Sequence, residues 1–450
     1  MIDKFKSKPK IYIFELNEIS PQILKKYVGN YPNSSLSNFV KQSDNITTIA
    51  DDIKEKDLYP AQSWASINSG KPFKKHKVKW YNDSKKNCPQ IWDDLAKNNS
   101  IGVINVLHSS DYKNLKSFNY FVSDPYKKFT RTIPDSLIGF KKFVNSQTFK
   151  SNRVSKFQIS LNEIKFITSF LFKIRLKTYF RIFKILFEIK FKKKKERLRN
   201  VDFLLHFDIF LWCLKKKDTF INVFFTNHIA SQFHRYLGAL FPNKKIKNYF
   251  GRNWIMKNSD EIFYSMRLFD KNFSEFEKNL LKKNDVVVLV SSMGQGLTTK
   301  FNKNHLTKYV YKQEDFFKIF LENESNYKVL GSMSPQLTIK VKNSFYANKL
   351  LKKLKKNDNS KIIEKYDLNN NIITISVNFK NYKHVIINNK KYKLIKIGVK
   401  EDLIDTQNTG HHIKDGILLI RSPKKIKIKK KISYLKYRSI IEKLISITSN

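Results

Sequence analysis

The sequence predicts an α/β fold in which a mostly parallel sheet is flanked by helices. Apolar runs of strand length lie at 11–17, 101–106 and 285–290, and such continuous runs are typical of strands buried on both faces. Stretches with helical spacing separate them, as in the βαβ units of a parallel sheet. The carboxyl ends of parallel strands meet at one edge, which is where open α/β sheets bind ligands.

The remaining elements follow in chain order. Ser20 and Pro21 open a helix that reaches about Tyr27, because Pro suits the first helical position. Residues 111–160 have little pattern and predict loop and short helices. The other predicted elements are a helix over 92–97, a buried helix over 201–214, a strand over 221–225, a Lys-rich helix over 345–356 and a β-hairpin over 371–397 that turns near Asn388–Asn389.

The chain has 450 residues, which exceeds one typical core, so we expect more than one structural unit. The predicted units are 1–130 for the first part of the α/β core, 131–214 for a basic helical insertion that caps the site, 215–340 for the second part of the core, 341–423 for a small β subdomain with a late histidine loop, and 424–450 for a basic C-terminal tail or helix.

The stretch from Tyr59 to Pro72 presents one hydroxyl, that of Ser63, near the start of a helix that closes at Gly70. Backbone N–H groups at a helix start favour negative charge, so a serine there can attack a phosphoryl or sulfuryl centre. A serine that caps a helix is the commoner use, and the stretch alone leaves both interpretations open.

Three groups of polar residues follow later strands or turns. They are Asn227, His228 and His234 after the strand at 221–225, Ser292 after the strand at 285–290, and His411 and His412 in a Gly-flanked loop. Each residue alone is as readily an ordinary loop or surface residue. Their order, combined with Ser63, indicates one site at the carboxyl edge of the sheet.

This order of motifs resembles the alkaline phosphatase superfamily, specifically its type I phosphodiesterase/nucleotide pyrophosphatase branch. The resemblance covers most of the chain outside 131–214 and the C-terminal end. It implies an alkaline-phosphatase-like fold, with Ser63 as the nucleophile and His234 and His412 as metal ligands. In that family two metals clamp the attacking and leaving oxygens.

The sequence departs from the family pattern at several ligands. Asn17 stands in place of the first Asp, Ser292–Met293 in place of an Asp-His pair, and Ala230 in place of the Asp four residues before the first histidine. An amide oxygen is a weaker ligand than a carboxylate, and Met does not suit hard cations. The metal site nearest the nucleophile is therefore expected to be lost.

A single divalent metal, Zn or another, is the remaining expectation. It would be held by His234 and His412, with His228 or Asn227 completing the set, since three imidazoles and an open position suit Zn. Glu15 or Glu18 is a candidate to replace the lost carboxylate. The further binding residues expected at the site are Asn17, Glu15, Asn227, His411 and Ser292, and Glu15 and Asn17 would face one side of their strand.

Two functions fit these residues. One is a hydrolase or phosphotransferase that acts on a phosphoester or phosphodiester through Ser63 with a reduced or rearranged metal site. The other is a catalytically inactive superfamily member that binds an anionic glycan, lipid or protein partner. The expected substrate is a phosphorylated small molecule, a glycan or a lipid.

The net charge is +49, from 87 Lys and Arg against 38 Asp and Glu. Such a charge favours polyanionic partners, although part of it is equally ordinary solvated surface. The sequence contains no recognised nucleic-acid-binding motif, so nucleic acid is not an expected partner. An anionic membrane surface is the alternative.

Residues 163–200 predict an amphipathic helix with a cationic face. One stripe comprises Ile167, Leu171, Ile174, Ile182, Ile185 and Ile189, and a second comprises Lys173, Lys177, Arg181, Lys184 and Glu188. Such a helix can lie on an anionic membrane, or it can cap the site with a solvated basic edge. The periodicity does not distinguish the two.

The two cysteines, Cys88 and Cys213, lie far apart and lack metal-binding spacing, which fits a reducing compartment. The first residues lack the apolar segment of a secretory signal. No charge-free apolar run reaches the ~20 residues of a membrane-spanning helix. These observations predict a cytoplasmic protein with, at most, peripheral membrane attachment.

Overall fold

The structure is a computed structural model. It describes residues 8–83, 85, 87–109, 112, 114–126, 131–149, 159–192, 194–298, 308–322, 324–332, 336–379, 382–401 and 408–449. Within these ranges no helix is long and apolar enough to cross a membrane. Cys88 and Cys213 are buried and form no disulfide.

The described ranges contain strands and α-helices in mixed order. The strands are β1 (Ile11–Leu16), β2 (Asp44–Ile49), β3 (Ile101–Ile104), β4 (Phe118–Val122), β5 (Ile221–Thr226), β6 (Val286–Val290), β7 (Gly294–Leu297), β8 (Lys308–Val310), β9 (Tyr327–Leu330), β10 (Gln336–Val341), β11 (Ile363–Asn369), β12 (Ile372–Val377), β13 (His384–Ile387), β14 (Lys390–Lys393), β15 (Val399–Glu401), β16 (Gly410–Ile413), β17 (Asp415–Arg421) and β18 (Lys431–Ser433). The helices are α1 (Pro21–Asn30), α2 (Ser35–Gln42), α3 (Pro60–Ser69), α4 (Phe73–His76), α5 (Ile91–Leu95), α6 (Ile138–Phe149), α7 (Leu161–Thr168), α8 (Leu176–Phe191), α9 (Leu198–Lys216), α10 (Ala230–Leu240), α11 (Lys244–Asn258), α12 (Glu261–Leu280), α13 (Gln313–Leu321), α14 (Ser344–Asn357) and α15 (Tyr437–Ser449).

An eight-stranded sheet forms the centre of the molecule, in the order β18-β2-β17-β6-β1-β5-β3-β4. β1 runs parallel to both β5 and β6, and β3 runs parallel to β4 and β5. β17 is antiparallel to its neighbours β2 and β6. The structure therefore confirms the predicted α/β class with a mostly parallel sheet.

Helices cover both faces of this sheet, and β1 shows why its sequence is apolar throughout. Tyr12 and Phe14 pack against α9 and α12, where Phe14 contacts the ring of Phe273. Ile11 and Ile13 point to the opposite layer, which contains α3 and α15. Alternate residues of a strand face opposite sides, so a strand between two helical layers needs apolar residues at nearly every position.

A smaller antiparallel sheet has the order β11-β12-β10-β9 and packs against α13 and α14. It confirms a small β subdomain, but with different limits, because it includes strands on both sides of residue 341 and β17 returns to the large sheet. The predicted turn at Asn388–Asn389 joins β13 to β14, with both residues at positive φ. β12 pairs with β10 and β11 and is not part of that hairpin.

The segments 131–214 and 424–450 both contribute to the main core. α9 buries Phe203, Phe207 and Phe210 beneath the large sheet, so this part of the insertion is a core layer and not a separate cap. At the C-terminal end, β18 pairs with β2, and α15 packs against α3. β4 and α6 lie in the stretch for which the sequence predicts loop and short helices.

Substitution of Gly102 provides a test of how tightly the large sheet is packed. The ring of Tyr120 occupies the space that a Cβ at Gly102 would need, and the Tyr120 hydroxyl is held by Asn222 at 2.8 Å. We expect Gly102→Ala to destabilise the protein by about 1–3 kcal/mol through overpacking. The matched change Gly29→Ala, in α1 with open space around it, should be neutral or stabilising, as measured by chemical denaturation. Equal stabilities of the two variants would contradict this packing.

Candidate functional site

Glu18, His234 and His412 converge at the carboxyl edge of the large sheet. One carboxylate oxygen of Glu18 lies 3.1 Å from Nε2 of His234, and the other lies 3.5 Å from Nε2 of His412. The two imidazole rings meet edge to face with centroids 5.0 Å apart. Among the described residues this is the group of His, Cys, Asp and Glu side chains whose ligand atoms lie close enough, within 4.8 Å, to hold one metal ion.

Three separate elements bring these side chains together. Glu18 lies two residues after the end of β1 and has φ 65°, a left-handed conformation that is uncommon for a non-glycine residue. His234 lies on α10, which begins four residues after β5 ends. His412 lies on β16 and pairs with Gln295 of β7.

Amide side chains fix the Glu18 carboxylate. Asn17 Nδ2 donates to Glu18 at 3.0 Å and to Asn227 Oδ1 at 2.7 Å, and Gln295 Nε2 donates to the other carboxylate oxygen of Glu18. The Asn17 side-chain oxygen accepts from Trp64 Nε1 at 2.8 Å. Asn17 and Asn227 therefore lie beside the cluster, and Asn17 contacts the carboxylate directly.

His412 presents a lone pair to the cluster. Its Nδ1 lies 2.8 Å from the carbonyl oxygen of Leu58, and because a carbonyl can only accept, the hydrogen belongs on Nδ1. Nε2 then carries no hydrogen in the neutral ring. It is buried, with no hydrogen-bond partner among the described residues. A backbone carbonyl that fixes the tautomer is the usual support for a metal-binding histidine.

The two imidazoles and the carboxylate shift each other's pKa. Burial would raise the pKa of Glu18, but the neighbouring His234 and His412 hold it well below its usual value. Burial would lower the pKa of His412, but the Glu18 carboxylate and the Leu58 carbonyl raise it overall. The site therefore favours an anion facing positive charge, which is what a bound cation also satisfies.

These residues fit a divalent metal. Two imidazoles and one carboxylate are a ligand set used for catalytic Zn, in which three protein ligands leave a position open for water or substrate. Nε2 of His412 is buried 3.5 Å from the Glu18 carboxylate and has no hydrogen-bond partner among the described residues. Glu18 would supply the carboxylate that the sequence lacks at position 17, and it is one of the two replacements the sequence offers.

A cavity of about 270 Å³ opens beside this cluster, between the large sheet and the small one. Its walls combine aromatic rings, polar groups of the small sheet and one guanidinium. They include Tyr59, Trp80, Tyr81, Arg199, Thr338 and Thr374, together with Glu18, His234 and His412. Asn82 Nδ2, between α4 and α5, donates to the carbonyl of Gly331, which follows β9, at 2.5 Å. Sequence reasoning missed these walls, because they come from segments with no motif.

Ser63 and Ser292 contact each other below the cavity. Their hydroxyl oxygens are 2.8 Å apart, both residues are fully buried, and Ser63 Oγ also lies 3.3 Å from the carbonyl of Pro60. α3 begins at Pro60 and ends at Ser69 with Gly70 as its C-terminal cap, which agrees with the predicted end near Gly70. Pro60 and Ala61 line the cavity wall, so the helix start reaches the site while the described cavity lining does not include Ser63.

The structure places His228 and His411 outside the cluster. His228 stacks on Phe203 with ring centroids 4.0 Å apart, and its Nδ1 lies 2.7 Å from the Thr226 hydroxyl. Burial lowers its pKa to about 3, so it is a neutral core residue. His411 is exposed and lies 3.7 Å from Glu55, because neighbouring residues of a strand point to opposite sides.

Glu15 faces α3, on the same side of β1 as Asn17, as the sequence predicts. Its carboxylate accepts from Asn68 Nδ2 at 3.2 Å and is fully buried. Burial raises the pKa of Glu15 to about 8. Glu15 is therefore a buried carboxyl group inside the helical layer, and the cavity lining does not include it.

No family model and no curated protein matches the chain. Solved structures are similar in fold. Murine ectonucleotide pyrophosphatase/phosphodiesterase 5 matches at 9% identity and a TM-score of 0.40, over 97% of this chain and 95% of that one. Phosphonoacetate hydrolase from Sinorhizobium meliloti 1021 matches at 9% identity and a TM-score of 0.41, over 96% of this chain and 94% of that one. Alkaline phosphatase PafA matches at 12% identity and a TM-score of 0.43, over 98% of this chain and 96% of that one.

An alkaline phosphatase and a nucleotide pyrophosphatase/phosphodiesterase are the classes that the motif order resembles. Identities and scores at this level describe a distant likeness in fold. They establish no activity for this chain, which has to be argued from its own residues.

The cluster predicts metal binding that depends on three side chains. Glu18→Gln, His234→Ala and His412→Ala should each weaken Zn²⁺ binding by more than about 100-fold, since loss of mere supporting residues already costs 10–100-fold. His411→Ala removes the neighbouring imidazole and should bind Zn²⁺ as the wild type does. Equilibrium dialysis with elemental analysis measures this, and equal losses in all four variants would refute the assignment.

Glu15 predicts a pH-dependent stability. A carboxyl group whose pKa is raised in the folded state stabilises the fold while it is protonated. This stabilisation is complete below the unfolded-state pKa of 4.5 and is lost as the pH rises towards the folded-state pKa of about 8. Between these two pH values the free energy of unfolding of the Glu15→Gln variant should rise relative to that of the wild type by up to about 1.4 kcal/mol per pH unit. Denaturation midpoints across the interval test it, with Glu364→Gln, an exposed carboxyl, as the control that should show no such trend.

Proposed function

We propose that the chain is a metal-dependent hydrolase of phosphoric esters, with one divalent metal held by Glu18, His234 and His412. The observation that carries this proposal is the convergence of these three side chains, whose ligand atoms lie within 4.8 Å of one another, beside an open cavity. A metal ion bound there would polarise phosphoryl oxygens and activate water. The reaction adds water to phosphorus and breaks the P–O bond to the leaving alcohol.

The cavity supplies groups that suit a phosphoester. Arg199 offers a guanidinium, whose planar donors match phosphate oxygens. α3 begins at the cavity wall, and the N-terminal end of a helix favours an anion. The rings of Tyr59 and Trp80, with centroids 5.1 Å apart, provide an apolar wall for the alcohol part. The small volume favours a compact substrate over a large one.

Water is the nucleophile that the geometry favours. Ser63 is buried, and its hydroxyl is engaged by Ser292 and by the Pro60 carbonyl. An attacking hydroxyl has to reach the phosphorus atom directly. We therefore assign Ser63 a supporting role beneath the start of α3, and the covalent route through Ser63 becomes an outcome of the test below.

A second candidate function is metal-dependent binding of a phosphorylated ligand without cleavage. It is favoured by the same buried Ser63, together with Asn17 and Ala230 at positions where the resembled family has carboxylates. With Asn17 held by Trp64 and Ala230 lining the cavity, the described residues offer one metal position and not two.

Turnover of p-nitrophenyl phosphate and bis(p-nitrophenyl) phosphate separates these functions. The Zn²⁺-loaded wild type should hydrolyse at least one of them, and a chelator should abolish the reaction. Glu18→Gln should lower kcat by at least about 100-fold, in line with losses of central electrostatic groups. Metal-dependent phosphate binding with no turnover of either ester would establish the binding function instead.

Ser63→Ala and His411→Ala serve as the two comparisons. Both should keep kcat within about tenfold of the wild type, because neither side chain meets the substrate in this proposal. Loss of turnover in Ser63→Ala with Zn²⁺ binding intact would replace water by Ser63 as the nucleophile.

A further inference from the structure

α8 carries an outer face that is apolar and exposed. We define the outer face as Phe172, Leu176, Phe180, Phe183, Phe187 and Phe191, whose exposed fractions lie between 49% and 101%. From Leu176 onwards the spacing is four, three, four and four residues, which is one stripe along a helix. Monomeric soluble proteins rarely expose a contiguous apolar patch of this kind, and such patches mark interaction sites.

The opposite side of α8 fixes this orientation. Ile185 is buried in the main core. On one edge Arg181 pairs with Glu275 of α12 at 2.7 Å, and at the C-terminal end Glu188 pairs with Arg197 at 2.6 Å. The Ile residues of the predicted apolar stripe pack against the core, and the phenylalanines of the outer face are exposed to solvent. A single helix over 163–200 was expected, but the chain forms α7 and α8 with a turn between them.

The charges around the outer face are of one sign. Between residues 159 and 192 the chain has two acidic residues, Glu163 and Glu188, and both are buried. Arg175 and Arg181 are neutralised by acidic residues of the core. The exposed lysines next to outer-face residues in the sequence include Lys184, Lys190 and Lys192.

We propose that the outer face docks the protein on an anionic lipid bilayer, with its phenylalanines in the interfacial region and its lysines at the headgroups. Aromatic and aliphatic residues on one side and lysines at the edges are the pattern of helices that lie in a membrane interface. This inference rests on the surface alone and stands independently of the proposed reaction.

A second copy of this chain is a poorer occupant. Two identical outer faces packed together would bring the lysines of both copies to one interface, because a symmetric dimer apposes the same patch of both subunits. Like charges in that arrangement repel, whereas an anionic lipid surface neutralises them. The bilayer is therefore the partner whose charge matches.

Vesicle co-flotation of the full chain tests the proposal. The wild type should float with vesicles of equal parts phosphatidylcholine and phosphatidylglycerol, and bind those of phosphatidylcholine alone at least about tenfold more weakly. The triple variant Phe180→Ser, Phe183→Ser, Phe187→Ser keeps the net charge and should bind the anionic vesicles at least about tenfold more weakly than the wild type. Its far-UV circular dichroism should match the wild type, since the three rings are exposed.

Two matched controls exclude binding by overall charge. Met256→Ser, Phe345→Ser, Ile395→Ser removes three exposed apolar residues elsewhere and should bind as the wild type does. Lys184→Glu, Lys190→Glu should weaken binding more than Lys352→Glu, Lys356→Glu on α14, although both lower the net charge equally.

Three results would overturn the proposal. The first is unchanged flotation of the Phe180, Phe183, Phe187 variant, which would mean that charge alone drives attachment. The second is equal binding to the neutral and anionic vesicles. The third is a wild-type dimer in solution that the same variant converts to a monomer, which would make a second copy the occupant.

Discussion

The buried carboxylate of Glu18 is the interaction on which the arrangement of the site depends. Its side chain is 3% exposed, and an ionised carboxylate removed from water is unstable unless charges and donors surround it. The donors come from Asn17 beside it and from Gln295 on β7, and the imidazoles come from α10 and β16. A single buried charge therefore requires four parts of the chain, distant in sequence, to meet at one point.

β1 shows that position along the strand decides the chemistry of a carboxyl group. Glu15 and Glu18 are three residues apart, yet burial in the α3 layer raises the pKa of Glu15 to about 8, whereas two imidazoles hold that of Glu18 well below its usual value. Desolvation acts on both, and only the neighbouring charges differ. The first group is a protonated core residue near neutral pH, and the second is an anion suited to a cation. The carboxyl edge of the parallel sheet is where that difference arises, because helices and loops from several strands converge there.

The sequence predicts the elements with strong local signals and some of the site. The apolar runs of β1 and β6, the Pro60 to Gly70 helix and the Asn388–Asn389 turn need only local chemistry. His234, His412, Asn17 and Asn227 are candidates from the order of motifs and the resemblance, and the structure brings them together around Glu18. The sequence does not decide whether Glu15 or Glu18 joins the two histidines, because both are acidic residues near the end of β1. The backbone turn at Glu18 directs its side chain to the cluster, and no local pattern predicts that turn. Ser63 looked exposed at a helix start, but Ser292 from a distant strand closes over its hydroxyl. The cavity walls that the small sheet contributes depend on how the two sheets pack, and no local sequence pattern predicts that packing.

α8 and the candidate metal centre are joined through the segment between Phe191 and Arg199. Arg197 in this segment donates to Glu188 of α8 at 2.6 Å and to Glu261 of α12 at 2.8 Å, all three being buried. The carbonyl of Glu196 accepts from Gln232 Nε2 at 3.1 Å, and Gln232 lies two residues before His234 on α10. Charge-assisted hydrogen bonds of this kind are directional, so they fix the rotation of α8 as well as its position. The same segment delivers Arg199 to the cavity. The outer face of α8 and the cluster of Glu18, His234 and His412, which share no sequence motif, are thus connected through buried side chains.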